Sequence, residues 1–340
     1  MIRKLAIVTD GWYPVVDGVV RTIEARKKEL EKRGIEVTVI NPNLFQNIRM
    51  PFDHQVRMAL FPRARMRTLL ASGNFDAIHI ETEGPLGSAA RAACRKLKFP
   101  YTTAHHTNLA LYIRIKIMPG LDWLVYAYLS RFHRNATRMM VSTETLRQNL
   151  ISHGFKNDIV VVPLGVDTEL FRPRPEEPSL PYPKPIFTYM GRVAPEKSVR
   201  EFLELDLAGT KLVIGDGEDK ERFEKEFPDA VFTGLKEGEE LAKLLAGSDV
   251  FVFPSRTETF GLTILEALAC GVPAAVYDCM GSRDVVTNGV DGYLSEDLKD
   301  AAQKALKLSR EKCREKALQY TWPKSVDIFL ENLAPISRQN

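Results

Sequence analysis

Cysteine is scarce in this chain of 340 residues, and so are the patterns that go with it. Cys94, Cys270, Cys279 and Cys313 form no C-x-x-C pair and show no metal-ligand spacing. That predicts a reduced, cytoplasmic setting. No apolar run approaches the ~18 residues needed to span a bilayer, so membrane contact must be made at the surface. The opening MIRKLAIVTD has only a short apolar stretch, which reads as a first strand and not as a signal peptide. No G-x-G-x-x-G follows that strand, which counts against a nicotinamide oxidoreductase. No D-x-D triplet occurs, so a metal held by paired carboxylates is not evident. No period of about 20–50 residues repeats, which excludes solenoids and propellers.

What is present is an ordinary globular composition, 44% hydrophobic and 27% charged. The length favours two domains of roughly 150–180 residues. A net charge of +3 conceals an asymmetry. Residues 1–165 carry 24 Lys/Arg against 13 Asp/Glu, a net of +11, and residues 166–340 carry 23 against 31, a net of −8. Either one half faces an anionic partner, or the split is a distribution of solvated charge.

Leu5–Thr9 is a continuous apolar run of the kind found in a parallel sheet covered on both faces. A Gly/Pro loop, a charged helix over about Val19–Arg33 ended by Gly34, and a strand Glu36–Ile40 complete a βαβ unit. Ala77–Ile80, Tyr101–Ala104 and Arg138–Ser142 read as further strands, with helices near Leu86–Leu97, Trp123–Asn135 and Glu144–His153. Pro173–Pro185 has six prolines in thirteen residues and reads as a stiff connector. A second alternation follows, with strands at Ile186–Met190, Lys211–Ile214, Val231–Thr233, Val250–Phe253 and Ala274–Tyr277. Helices near Arg200–Leu205, Lys220–Phe227, Glu239–Ala246 and Thr263–Ala269 lie between them. The pattern predicts two doubly wound α/β domains with a cleft, and ligands beyond the carboxyl ends of the strands.

Two places gather residues suited to chemistry. In TETFGLTILE, Glu258 and Glu266 flank a turn from strand to helix. A helix starting near Leu262 offers unpaired N–H groups and a positive dipole end to an anion, and Gly261 lets that anion approach the backbone. Glu266 could accept two hydroxyls of a ribose, but Thr263-x-x-Glu266 also reads as a capping box that needs no ligand. Glu258 could meet a sugar or be a solvated loop acid. In GRVAPEK, Arg192 and Lys197 stand on a strand-to-helix loop, where they could neutralise a diphosphate leaving group or form an ordinary surface.

The order GRVAPEK, VIGDG (Val213–Gly217), VFTG (Val231–Gly234), then DVFVFPSRTETFGLTILEALACGVP resembles the donor domain of family 4 glycosyltransferases. The resemblance implies the GT-B fold and a retaining, metal-independent enzyme with no cofactor beyond its nucleotide-sugar substrate. In that family the E-x7-E pair corresponds to Glu258 and Glu266, and the cations to Arg192 and Lys197. Gly261, Leu262 and Thr263 form the helix tip, and the backbone near Leu235 meets the base. PVVDGV resembles the family's glycine loop, in which Gly18 approaches the donor phosphate. His106 in AHHTN matches the active-site histidine that contacts the transferred sugar, leaving His105 to pack. HIETEGPLG and PLGVDTELF extend the likeness to nearly the whole chain. Ser198 departs from a glycine that often follows the lysine. Asp17 departs from Asn or Gly, and could bind a sugar or acceptor hydroxyl or serve as the base for the acceptor proton.

The resulting plan is an acceptor-binding domain over residues 1–170, a linker 171–185, a donor-binding domain 186–322, and a last helix in 323–340 that crosses back to the first domain. The expected reaction moves a hexose from GDP-mannose or a UDP-sugar to a lipid-linked or membrane-proximal acceptor, with no nucleic-acid partner. A nucleotide-sugar epimerase and a non-catalytic sensor are the alternatives. Arg57–Arg67 and Leu111–Leu129 mix cations with large apolar groups. They suit either peripheral binding to the anionic inner face of the cytoplasmic membrane or a basic face over an ordinary core helix.

Overall fold

The protein is described from a computed structural model, over residues 2–14, 17–49, 57–106, 122–177 and 179–337. The chain forms two compact units. Of the described residues, those up to 163 and from 322 onward form one, and those in 164–321 form the other.

In the first unit the strands are β1 Lys4–Val8, β2 Glu36–Ile40, β3 Asn47–Arg49, β4 Arg57–Ala59, β5 Ala77–Ile80, β6 Thr102–His105, β7 Arg138–Val141 and β8 Ile159–Val161. Six of them make a parallel sheet in the order β2-β1-β5-β6-β7-β8. The strands β3 and β4 pair apart from it as an antiparallel ribbon. The unbroken apolar run of β1 has a simple cause. Leu5 and Ile7 enter one core with Ile23 and Leu30, while Ala6 and Val8 enter a second with Met66, Leu86 and Phe132. Successive side chains alternate faces, so a strand covered on both sides must be apolar throughout.

The helix Trp322–Asn332 belongs to the first of these cores through Val326 and Phe329, both without solvent exposure. A buried phenylalanine of this kind is worth about 3–5 kcal/mol against alanine. Its anchor extends beyond the helix, where Ile336 N donates to Asp76 O at 2.7 Å.

The second unit has β9 Ile186–Met190, β10 Thr210–Ile214, β11 Val231–Gly234, β12 Val250–Phe253, β13 Ala274–Val276 and β14 Gly292–Leu294. They form one parallel sheet in the order β11-β10-β9-β12-β13-β14. This is the doubly wound order of a nucleotide-binding α/β fold. The proline-rich stretch packs onto this unit. Thr210 Oγ1 donates to Pro183 O at 2.7 Å, and the buried Arg174 reaches Glu239 Oε2 at 2.6 Å.

Candidate active site

In an open parallel sheet the crevice for a ligand opens where the strand order reverses. In the second unit that point lies between β9 and β12. The loop after β9 carries Arg192 and Lys197, and the loop after β12 carries Glu258 and Gly261. The two loops meet, because Lys197 Nζ forms a close ion pair with Glu258 Oε1. Both side chains are three-quarters or more buried. Ser255 Oγ donates to the same Glu258 oxygen at 3.4 Å, and the Lys197 ammonium lies 6.0 Å from the Phe253 ring centroid. Arg192 is more exposed and pairs with Glu196 in its own loop.

The glycines explain how the loop after β9 is held. Gly215 has φ +148°, and a Cβ there would stand 1.9 Å from Gly191 O. A Cβ at Gly217 would stand 2.3 Å from Val193 O. The VIGDG turn therefore lies directly against GRVAPEK, and Val193 N donates to Asp216 O at 2.9 Å. The buried Tyr189 hydroxyl props Arg192 O at 2.8 Å from the other side. Ser198 takes the left-handed conformation at φ +51°. A glycine would hold that conformation without the cost of about 1–2 kcal/mol that a side chain brings.

Gly261, at φ +87°, is the N-cap of the helix Leu262–Ala269, a residue with no side chain to cap that end. The capping-box reading of Thr263 and Glu266 is therefore corrected. Thr263 is the second helical residue and not the N-cap, because the left-handed glycine turns the chain one step earlier. Leu262, Thr263 and Glu266 are half-buried on this helix, and Leu235 stands 63% exposed just beyond β11.

In the first unit the reversal lies between β1 and β5. Here the structure supplies residues that the sequence does not flag. Asp10, just past β1, accepts from Leu86 N at 2.7 Å, Gly87 N at 3.2 Å and Thr82 Oγ1 at 2.8 Å. The N-terminus of the helix Pro85–Leu97 is thus filled by the protein's own carboxylate. Burial raises the Asp10 pKa, with these hydrogen bonds acting against it. Asp17 caps the helix Gly18–Lys32, its Oδ1 accepting from Val19 N and Val20 N at 2.9 Å each. Among the described residues beyond its own helical turn, a methyl group added at Gly18 would meet no atom within 4 Å.

The two adjacent histidines diverge. His105 is buried with Nδ1 2.6 Å from Glu83 Oε1, and His106 is half-buried with Nε2 2.8 Å from Glu81 Oε1. Glu81 also meets Arg26 Nη1 at 2.8 Å. Burial opposes the charge on Glu81, but Arg26, His79 and His106 outweigh it and hold the carboxyl well below the usual range. Glu83, His105 and His133 each offer a ligand atom within 4.8 Å of one another, a spacing that a metal ion could bridge. Glu83 sits low for a carboxyl because the two imidazoles overcome its burial.

Comparison with known proteins agrees with the fold. The model of "Glycosyltransferase Family 4" matches residues 16–170, and that of "Glycosyl transferases group 1" matches residues 184–311. A GDP-mannose-dependent alpha-mannosyltransferase of Mycobacterium tuberculosis is 30% identical, over 86% of this chain and 83% of its own. An alpha-monoglucosyldiacylglycerol synthase of Streptococcus pneumoniae is 27% identical, over 89% and 78%. The crystal structure of Anabaena Alr3699/HepE in complex with UDP and glucose shares the fold, with TM-score 0.71, 16% identity, and 97% and 98% coverage. With two Rossmann-like halves, both family models in order and this level of identity, the chain belongs to glycosyltransferase family 4, of GT-B fold, and is a glycosyltransferase that uses nucleotide sugars.

Proposed function

We propose that this enzyme is a retaining transferase that moves a hexose from GDP-mannose or a UDP-sugar to a lipid-linked or membrane-proximal acceptor. The observation that carries the reading is the Lys197–Glu258 pair at the switch point of the second sheet, beside the loop of Arg192 and the uncapped helix tip at Gly261. Two cations and a set of backbone N–H groups suit a diphosphate whose charge grows as the sugar leaves. Glu266 is assigned to the ribose, the backbone near Leu235 to the base, and Glu258 and His106 to the transferred sugar. Asp17 remains a candidate for the acceptor side, although its Oδ1 is committed to a helix cap. The mannosyltransferase relative supports GDP-mannose by its name, and the UDP-bound neighbour keeps a UDP-sugar in view.

A thermal-shift panel of GDP, UDP and ADP sugars tests the donor. One sugar nucleotide should raise Tm and then be slowly hydrolysed. Binding without turnover would indicate a sensor, and release of an isomerised free sugar an epimerase. Because Arg192, Lys197 and the helix tip supply the positive charge, no metal cofactor is assigned, and EDTA should leave turnover unchanged.

Gly18 offers a separate check. Gly18→Ala should fold at the parent's Tm or slightly above, since the methyl group meets no described residue beyond its own helical turn and alanine favours a helix over glycine by up to about 1 kcal/mol. It should raise the donor KM if a phosphate approaches the backbone there. An unaltered KM would refute the glycine-loop assignment.

The acceptor proposal rests on the basic first half. Phe61 is 91% exposed among the exposed Arg63, Arg65 and Arg67, although Met66 from the same stretch is core. Trp123 is 66% exposed, while Leu111–Leu121 lies outside the described residues. Among the described residues no helix is long and apolar enough to cross a membrane. Cations with exposed aromatics favour shallow binding to an anionic surface at the inner face of the cytoplasmic membrane. Flotation with anionic liposomes at low salt should carry the protein upward, and its absence from the lipid fraction would end this part of the proposal.

A further inference from the structure

Beneath the loop after β9, an aromatic core holds a hydroxyl that packing does not explain. Tyr189 has no solvent exposure. Its ring lies nearly parallel to that of Phe253 at 6.1 Å between centroids, and next to that of Phe202 at 6.4 Å. A phenylalanine would fill the same space, whereas a phenolic O–H taken into an apolar interior must find a partner there. The partner is Arg192 O, at 2.8 Å. Burial, with Glu258 and Glu196 nearby, pushes the phenol well above the ordinary tyrosine range, so it stays protonated and donates. Gly191 leaves room for this reach, because a Cβ there would stand 2.9 Å from the hydroxyl oxygen. Arg192 O also accepts from Ala194 N at 3.1 Å, so two donors fix the turn from which the Arg192 side chain leaves. That side chain stays more than half exposed even with Glu196 beside it.

We propose that Tyr189 is the positioning residue for Arg192. Its hydroxyl holds the Arg192 carbonyl from inside the sheet, and so sets where the guanidinium stands to take a diphosphate. The proposal rests on the reading that Arg192 meets that diphosphate. It extends the site to a residue that lies wholly in the core and acts through the backbone. A small shift of the carbonyl is carried outward along a long side chain, and a misplaced cation stabilises the leaving group less.

Tyr189→Phe removes the hydroxyl and keeps the ring. The readout is calorimetric affinity for UDP and for GDP, whose terminal phosphate carries the charge that the leaving group acquires. The parent should bind at least one of them, and Tyr189→Phe should weaken that binding about 10-fold. Tm should fall by only a few degrees, since one hydrogen bond is lost. In the Arg192→Ala protein the same change should weaken binding no further, because the two residues act on one contact. Parent-like affinity in Tyr189→Phe overturns the proposal. An equal loss with and without Arg192 also overturns it, since the hydroxyl would then serve the sheet and not the cation. A parent that binds neither nucleotide, or an Arg192→Ala protein that binds as well as the parent, would instead strike the reading on which the proposal stands, and the proposal with it.

Discussion

Lys197→Ala should lower kcat by about 10²-fold or more, the range seen when one preorganised group is withdrawn from developing charge. That corresponds to about 2.7 kcal/mol of lost transition-state stabilisation. The fold should survive. The pair with Glu258 is partly exposed, and its loss should cost on the order of 1 kcal/mol. The donor KM should change less than kcat, because charge on the bridging oxygen builds only as the sugar leaves. Arg192→Ala should act in the same sense. Its carboxylate partner Glu196 lies in the same short loop, so the stability of that loop should be checked alongside its rate. Parent-like turnover in a well-folded Lys197→Ala protein would remove the leaving-group role, and with it the central claim about the second unit.

Arg26→Ala should have the larger effect on stability, a loss of about 3–5 kcal/mol, because it strands the fully buried Glu81. Arg26 also lies 4.3 Å from the Phe329 ring centroid, so its removal loosens the packing of the last helix. Urea denaturation measures the loss. Combining Arg26→Met with Glu81→Gln should recover most of it, since the two changes act on one pair and cannot add independently. A urea midpoint for Arg26→Ala equal to the parent's would show that the pair is not buried in solution as it is here.

The contrast between these two residues shows what the sequence discloses. Lys197 can be read because it sits in a short ordered loop after an obvious strand, and the geometry of such loops is local. Arg26 looks like one more cation on a charged helix. Its partner is 55 positions away, after a different strand, and only the sheet order brings them together. Asp10 is hidden for the same reason, since the helix end it fills begins 75 residues later. Long apolar strands such as Ile186–Met190 and Val250–Phe253 appear where their runs predict them. The three-residue strands Ile159–Val161 and Gly292–Leu294 give too few residues for any period to show. Arg57–Arg67 divides into a strand, a left-handed turn at Phe61 and a helix from Arg63, and its alternation of cation and apolar group conceals that Met66 is core. The capping-box alternative at Thr263 fails because of a glycine conformation that no side-chain pattern announces.

The placement of Val326 and Phe329 carries a consequence for synthesis. A ribosome works from the amino end, and domains are commonly completed in that order. Here the opening 163 residues emerge without the helix that closes one face of their sheet, while Leu164–Thr321 follow as an uninterrupted block. The earlier-made portion must therefore wait, with apolar surface uncovered, until Trp322–Asn332 has been made. A chain stopped at Thr321 would consequently injure the part of the molecule made first.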